Sequence, residues 1–258
     1  MVKLRSAEEI DRIRESARIV AGTLRLLKGL CAPGVTTAEL DKKGEEFIRD
    51  HGGEPSFLGY HGYPASTCIS VNEEVVHGIP GSRVVREGDI VGIDVGVYKN
   101  RYHGDAALSF AVGDVPPETE QLLQVTEESL HRGIQAFRVG NRLGDVGNAV
   151  EAHAGEYGYG VVRSLVGHGI GEAMHEDPQV PNYGNPGTGL KLRAGMVCAI
   201  EPMLTLGTWD VKTLSDGWTV VTRDSSLAAH FEHTVALTEA GPEILSVLPQ
   251  EEEARSGS

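Results

Sequence analysis

Two segments of this sequence each place an aspartate among small residues, in stretches with the composition of β-strands. In residues 90–97, IVGIDVGV, valines and isoleucines alternate along one strand face, and Asp94 shares the other face with two glycines. In the next segment Asp105 alternates with alanines and a serine, and bulky residues take the opposite face. A strand face with so few side chains favours the approach of something other than protein.

The spacing of these aspartates predicts that they face each other. A hairpin that turns about Lys99–Asn100 pairs Asp94 directly with Asp105, with Cβ atoms roughly 5 Å apart. Two carboxylates so placed raise each other's pKa unless a cation lies between them, so the pair favours a metal site. The alternative is a register shifted by two residues, in which one aspartate only caps a turn.

Three later residues resemble the same design. His168 lies between Gly167 and Gly169, where an imidazole is accessible, although a lone histidine of this kind is more often structural than a ligand. Glu201 ends an apolar run and Glu232 lies in HFEHT, where burying an unpaired carboxylate is costly. Two such glutamates, added to the aspartate pair, favour a metal centre.

The ligand types indicate which metals would bind and what they would do. Four carboxylates and one imidazole suit two divalent ions, and an oxygen-rich ligand set suits manganese, iron(II) or cobalt better than structural zinc. Two neighbouring ions that hold a bridging hydroxide form a hydrolytic centre, because they lower the pKa of water and polarise a scissile carbonyl. The residues therefore predict metal-assisted hydrolysis.

Composition limits the classes of partner and the cellular compartment that we expect for this protein. The 258 residues are 40% hydrophobic, and 37 acidic against 23 basic residues give a formal charge of −14, which disfavours nucleic acid. The sequence has no apolar run long enough to cross a membrane, and its charged N-terminus lacks the apolar core of a signal peptide. Three widely spaced cysteines fit neither a disulfide framework nor a zinc site, so we expect a cytoplasmic protein.

Four helices and several strands must position these residues. Capping boxes at Ser6 and Thr36 open two amphipathic helices, and β-like segments follow at 66–77, 89–98 and 102–112. After residue 117 the order repeats, with helical patterns to about Phe137 and from Leu143 to Tyr157, and strand-like segments near 161–168, 195–206, 218–222 and 228–238. This repetition predicts an α+β fold of two related halves, with a site where their sheets meet. Residues 251–258 are polar, and we expect a disordered tail there.

A family resemblance agrees with this interpretation. The motifs DVGVYKNRYHGDAA, GHGIG, IEPM and HFEHT, together with LGYHGYPASTCISVNEEVVHGIP and MHEDPQVPNYG, resemble the type I methionine aminopeptidases of peptidase family M24, over roughly residues 6–248. The resemblance implies a pita-bread fold, in which two pseudo-symmetric helix-helix-strand halves form curved antiparallel sheets around a dinuclear metal site. It also implies a single catalytic domain over residues 1–250.

The same resemblance implies a role for each site residue. Asp94 would chelate one metal, Asp105 and Glu232 would bridge both, and His168 and Glu201 would hold the other. His77 and His175 would contact the substrate backbone and the tetrahedral intermediate, with Glu201 helping to shuttle the proton. The methionine side chain would be received by Tyr60, Tyr63, Cys68 and Trp218. Two positions depart from the family pattern and affect the expected pocket shape: Met174, where an aromatic residue is common, and Phe57, where the residue is often smaller.

The activity implied is hydrolysis of the N-terminal methionine from nascent proteins whose second residue is small. Methionyl peptides and nascent chains would be the partners, with transient ribosome contact and a monomeric enzyme. Two alternatives stay open. One is a related enzyme of the aminopeptidase P, prolidase or creatinase type, although these usually carry a further N-terminal domain and here the first helix begins near residue 6. The other is a non-catalytic binding protein that kept the fold.

Overall fold

Four helices and a large antiparallel sheet dominate the computed structural model, which describes residues 2–248; the predicted tail at 251–258 lies outside the described residues. The helices are α1 (Ala7–Leu30), α2 (Thr37–Asp50), α3 (Pro117–Ala136) and α4 (Leu143–Glu156), and a short 3₁₀ helix covers Tyr60–Gly62. The strands are β1 (Glu54–Pro55), β2 (Cys68–Val71), β3 (Glu74–Val76), β4 (Ile90–Lys99), β5 (Tyr102–Ala111), β6 (Gly160–Val161), β7 (Gly167–Gly169), β8 (Glu176–Val180), β9 (Val197–Ile200), β10 (Met203–Thr205), β11 (Val211–Thr213), β12 (Val220–Thr222), β13 (Ala228–His230), β14 (Glu232–Thr238) and β15 (Gly241–Ile244).

Both predicted capping boxes are confirmed. The Ser6 hydroxyl accepts the Glu9 N–H and the Glu9 carboxylate accepts the Ser6 N–H at 2.8 Å, which satisfies two donors that the first turn of α1 leaves free. Thr36 and Glu39 make the same pair of contacts at α2. No helix within residues 2–248 is both long enough and apolar enough to cross a membrane.

The main sheet joins the two halves of the chain. Its order is β1–β4–β5–β14–β9–β7–β8, with β2 also paired to β4 and β15 to β14. The β4–β5 hairpin comes from the first half and the β9–β14 pair from the second, and the halves meet where β5 pairs with β14. The prediction of two related halves whose sheets meet is therefore confirmed, and the strands of both halves join in one continuous sheet.

The predicted hairpin register is wrong by two residues. The turn lies at Asn100–Arg101, where both residues have positive φ, and β4 pairs Asp94 with Ala107 and Gly96 with Asp105. The two aspartates are therefore diagonal neighbours, not direct partners, and neither of them caps a turn. A shift of two keeps every side chain on its predicted face, since strand side chains alternate with a period of two.

The helices cover one face of this sheet. The odd-numbered valines and isoleucine of β4 form a core with residues of α1 and α2, and residues of β9 and β14 such as Cys198 and Val235 form a second core with α3 and α4. The register places Asp94, Asp105 and Glu232 on the opposite face. Two small three-stranded sheets, β13–β10–β6 and β11–β12–β3, complete the fold.

Candidate active site

A cavity of about 120 Å³ opens on the face that carries the carboxylates. The structure brings all eleven residues predicted from the sequence to its wall, together with one of the two residues that depart from the family pattern. The lining is Phe57, Tyr60, Tyr63, Cys68, His77, Asp94, Asp105, His168, His175, Glu201, Trp218 and Glu232.

The four carboxylates and one imidazole converge at one end of the cavity. One ligand atom from each of Asp105, His168 and Glu232 lies within 4.8 Å of the others. The Nε2 atom of His168 is 3.8 Å from Asp105 Oδ2 and 3.6 Å from Glu201 Oε1. Each half of the chain supplies two of the carboxylates, since Asp94 and Asp105 lie on β4 and β5, and the glutamates lie on or beside β9 and β14.

These carboxylates lack the partners that burial normally demands. Burial raises the pKa of Asp94 to about 7, and it raises the pKa of Asp105, Glu201 and Glu232 well above the usual range, with the neighbouring carboxylates as a second cause. Buried oxygens of Asp94, Asp105 and Glu232 have no hydrogen-bond partner. A cluster of buried acidic oxygens that no protein group satisfies fits divalent cations, which supply the missing positive charge.

His168 presents a free lone pair to this cluster. Its Nδ1 lies 3.0 Å from the Gly169 carbonyl oxygen, which can only accept, so Nδ1 carries the proton and Nε2 is left as a ligand atom. Burial lowers the pKa of His168 to about 3, which keeps the ring neutral. The flanking Gly167 and Gly169 are required by packing, because a Cβ at either would overlap the backbone of a neighbouring strand.

His77 and His175 lie beside the carboxylates. Burial lowers the pKa of His77 to about 4, with His175 as a second cause, so the ring is neutral near pH 7. The Nδ1 atom of His175 is 2.7 Å from the Tyr60 hydroxyl oxygen, and its ring lies 4.1 Å from that of His168. Tyr60 therefore holds the imidazole of His175 against the cavity.

Apolar side chains form the other end of the cavity. The Tyr63 ring packs edge-on against Trp218 at 5.1 Å and against Phe57 at 6.5 Å. The Tyr63 hydroxyl lies 3.0 Å from the Gly78 carbonyl oxygen, so its polar end is satisfied away from the cavity. Burial raises the pKa of the Cys68 thiol well above its usual range, so this side chain is a small neutral wall residue and not a nucleophile.

Protein, not ligand, covers part of the strand face that the sequence predicted to be clear. A Cβ at Gly96 would lie 2.7 Å from the Phe57 ring and 3.0 Å from Met174 Cε, so this glycine makes room for two side chains. Met174 is buried, with 2% of its surface exposed. Of Phe57 and Met174, only Phe57 lines the cavity. Met174 shares a buried cluster with Phe57, so it lies outside the cavity wall and next to the residues that form it.

His230 also lies at the carboxylate cluster, although it was not among the residues predicted from the sequence. Its Nε2 is buried without a hydrogen-bond partner, 3.9 Å from Glu201 Oε2 and 3.9 Å from Glu232 Oε2. The signal was in HFEHT, where His230 precedes Glu232 by two positions and could share its face. Whether it does depends on the break between β13 and β14, which the sequence does not specify.

Comparisons with known proteins agree with this geometry. A model of metallopeptidase family M24 matches residues 11–239. The methionine aminopeptidase of Clostridium perfringens is 53% identical over 248 residues, which cover 96% of this chain and 100% of the relative. Methionine aminopeptidase 1 of Mycobacterium tuberculosis is 51% identical over 254 residues and 96% of either chain.

Solved structures give the same result. The crystal structure of methionine aminopeptidase from Thermotoga maritima matches with a TM-score of 0.95 and 44% identity, over 96% of this chain and 100% of the other. The prolidase of Pyrococcus furiosus matches with a TM-score of 0.78 at 24% identity, over 95% of this chain and 65% of the other, and thus shares the fold alone. The fold is the pita-bread fold. On sequence and structure together, the chain belongs to metallopeptidase family M24, within which it is a type I methionine aminopeptidase.

Proposed function

We propose that this enzyme removes the N-terminal methionine from peptides whose second residue is small, with a dinuclear metal centre. One observation carries the proposal: a cluster of unpartnered buried carboxylates opens directly into a small apolar pocket. The first feature suits metal-assisted hydrolysis and the second suits an unbranched apolar side chain. The names of its relatives support the same substrate.

The donor set fits two ions. Asp94 would hold one ion, His168 and Glu201 the other, and Asp105 and Glu232 would bridge them. When bound, divalent ions supply an acidified water and polarise the scissile carbonyl. Manganese, iron(II) or cobalt suit such an oxygen-rich set of ligands, and elemental analysis of the enzyme would identify which of them binds.

The chain's own residues position the substrate and move the proton. The neutral rings of His77 and His175 can donate hydrogen bonds to the carbonyl oxygen of the substrate as it gains negative charge. Burial and the neighbouring aspartates raise the pKa of Glu201 when no metal is bound. With an ion bound, this carboxylate would be charged, and it could take a proton from the attacking water and pass it to the leaving amine.

The apolar end of the cavity selects the substrate. Tyr60, Tyr63, Cys68 and Trp218 would receive the thioether side chain, and Phe57 narrows the space near Tyr63. A bulky second residue would meet this wall before the carbonyl reaches the carboxylate cluster, and small misplacements of reacting atoms can cost about 100-fold in rate.

Peptide assays test the substrate. We expect kcat/KM for a Met-Ala-Ser peptide to exceed that for Leu-Ala-Ser and for Met-Leu-Ser, whereas an Ala-Pro peptide should not be cleaved. A norleucine peptide should be cleaved within about 10 to 200-fold of the methionine peptide, because a hydrophobic pocket discriminates only modestly between similar shapes. Equal rates for Leu-Ala-Ser and Met-Ala-Ser would overturn the methionine pocket.

Metal analysis tests the centre. Elemental analysis and calorimetric titration of the stripped enzyme should find two ions per chain, and Glu232→Gln should retain the far-ultraviolet circular dichroism of the wild type but bind the ions more weakly. One ion at saturation would overturn the dinuclear centre without touching the substrate assignment.

The proposal also places the enzyme in its setting. Residues 1–250 would act as one catalytic domain, since both halves supply ligands to the same cavity. If nascent chains are the substrate, the enzyme would act in the cytoplasm, with transient ribosome contact. We propose that it acts as a monomer.

A further inference from the structure

The segment that precedes α1 is fastened across the loop that carries His175. The Arg5 N–H donates to the Gly195 carbonyl oxygen at 2.7 Å, and the Arg5 side chain is buried, with 4% of its surface exposed. Its guanidinium lies 2.6 Å from Glu176 Oε2, 3.5 Å from Glu172 and 3.6 Å from Glu9. A buried cation with three carboxylates around it is a fixed anchor and not a solvated surface group.

Glu176 connects Arg5 to the loop between β7 and β8. One of its carboxylate oxygens accepts from Arg5, and the other accepts the N–H of Ala173 at 3.0 Å, which folds the loop back on itself. The guanidinium also lies against Gly171, where any Cβ would overlap it. The shape of the loop and the position of Arg5 therefore depend on each other.

His175 lies directly before Glu176 and is fixed from two sides. On the cavity side, Tyr60 holds its Nδ1 and the His168 ring packs beside it. On the outer side, the backbone is held through Glu176 by Arg5. The contact with Tyr60 is exposed to solvent, whereas the side chains of Arg5 and Glu176 are only 4% and 11% exposed, so water competes less for their ion pair.

We propose that Arg5 is a positioning residue for the reaction: its buried ion pair with Glu176 holds the β7–β8 loop so that His175 points into the cavity. The inference rests on the proposed function, which gives His175 its contact with the substrate. Arg5 itself touches neither the cavity nor the carboxylate cluster, so its effect has to pass through the loop.

Arg5→Ala tests the proposal, with Arg14→Ala as the matched control. Arg14 lies within the first half of α1, pairs with Glu243 at 2.7 Å and has 15% of its side chain exposed, but it is not part of the cavity wall. We expect Arg5→Ala to lower kcat by about 10 to 100-fold with KM changed less than about threefold, because the misplaced histidine acts on the transition state. Arg14→Ala should lose thermal stability but keep kcat.

Two further measurements separate positioning from simple destabilisation. Arg5→Lys, which restores the charge but not the planar fork, should recover part of the lost kcat. The amide hydrogen of Ala173 should exchange faster in Arg5→Ala than in the wild type or in Arg14→Ala, and this measurement needs no activity.

The outcomes distinguish failure of the positioning role of Arg5 from failure of the proposed function. If Arg5→Ala keeps its kcat, or if Ala173 exchanges at the wild-type rate, the positioning role is overturned. If the wild type does not cleave methionyl peptides, the proposed function fails, and the exchange measurement still decides whether Arg5 orders the loop.

Discussion

Histidines whose charge is suppressed by burial set the chemistry of this site at the scale of single residues. His77, His168 and His230 all have pKa values lowered by burial, to about 4, 3 and 3. Near pH 7 these rings are neutral, so they can bind a metal or donate a hydrogen bond without adding charge. The positive charge that the carboxylates need must therefore come from outside the protein.

His77→Ala is the clearest test of transition-state stabilisation. His77 lines the cavity, and its imidazole sits 6.4 Å from the Trp218 ring. Since an oxyanion donor acts mainly in the transition state, we expect kcat to fall by about 100-fold or more with little change in KM. Metal content, measured by elemental analysis, should stay at the wild-type level. Loss of metal in this variant would instead make His77 a ligand.

His230→Ala should weaken metal binding. The His230 Nε2 lies equally close to one oxygen of Glu201 and one of Glu232, so this ring is placed to orient both carboxylates. Removing groups that orient metal ligands costs about 10 to 100-fold in metal affinity. Titration calorimetry of the stripped protein measures this directly. Tyr159→Phe, which removes a hydroxyl that contacts only exposed Gln121 in the described structure, is the control and should bind metal as the wild type does. Unchanged affinity in His230→Ala would show that the contact is incidental.

At the scale of elements, the β4–β5 turn shows where sequence reasoning stops. Parity along each strand predicted both faces correctly, because side-chain alternation depends only on local residues. The register failed because the turn uses Asn100 and Arg101 at positive φ, a geometry for which Asn-Gly is the usual sequence. An arginine at the second turn position does not indicate this type of turn. The position of the turn is set instead by the pairing of β4 with β5 along their whole length.

Arg101→Gly should stabilise the protein. Arg101 adopts φ 73°, where a residue with a Cβ is strained by about 1 kcal/mol or more, partly offset by the greater freedom of glycine in the unfolded chain. We expect a net gain of about 0.5 to 1 kcal/mol in the free energy of unfolding, measured by urea denaturation. Arg101→Ala keeps the strain and equally loses the exposed contact with Glu172, so it should show no gain. A gain of the same size in both variants would place the effect in the side chain.

At the scale of the whole molecule, each half supplies two carboxylates to one cluster, and neither half holds the site alone. The repeated helix-helix-strand pattern predicted this arrangement, because the hydrophobic periodicity of each helix and strand depends only on residues close together in the sequence. His230 and the burial of Met174 could not be predicted, since they depend on how loops from distant parts of the chain pack against the sheet. The same packing places buried acidic groups together, so folding, protonation and metal binding must be linked.

The sign of this linkage follows from the shifted pKa values. Burial raises the pKa of Asp94 to about 7 and those of the other three carboxylates well above their usual range, so the metal-free folded protein holds protons that the unfolded chain releases. The stability that these groups contribute is lost as pH rises through 7. Five histidines, His77, His103, His168, His175 and His230, have lowered pKa values and the opposite effect, since they add stability as pH rises through their ordinary value of 6.5. Comparison with Asp94→Asn, which leaves these histidines in place, therefore isolates the contribution of the Asp94 carboxylate.

Relative to Asp94→Asn, we expect the stripped wild-type protein to lose about 1 kcal/mol of stability between pH 6.5 and pH 8, seen as a fall in its midpoint of thermal unfolding. Manganese replaces the protons as the source of positive charge, so the rise in midpoint on adding a fixed excess of manganese should be larger at pH 8 than at pH 6.5. Scanning calorimetry at both pH values, with and without the metal, measures the four unfolding midpoints. Asp94→Asn is the reference in the metal-free series, because an amide does not titrate. A stripped wild type that gains stability relative to Asp94→Asn from pH 6.5 to 8 would mean that the Asp94 carboxylate is already charged and balanced by other groups of the protein, and a metal would then have no electrostatic reason to bind there.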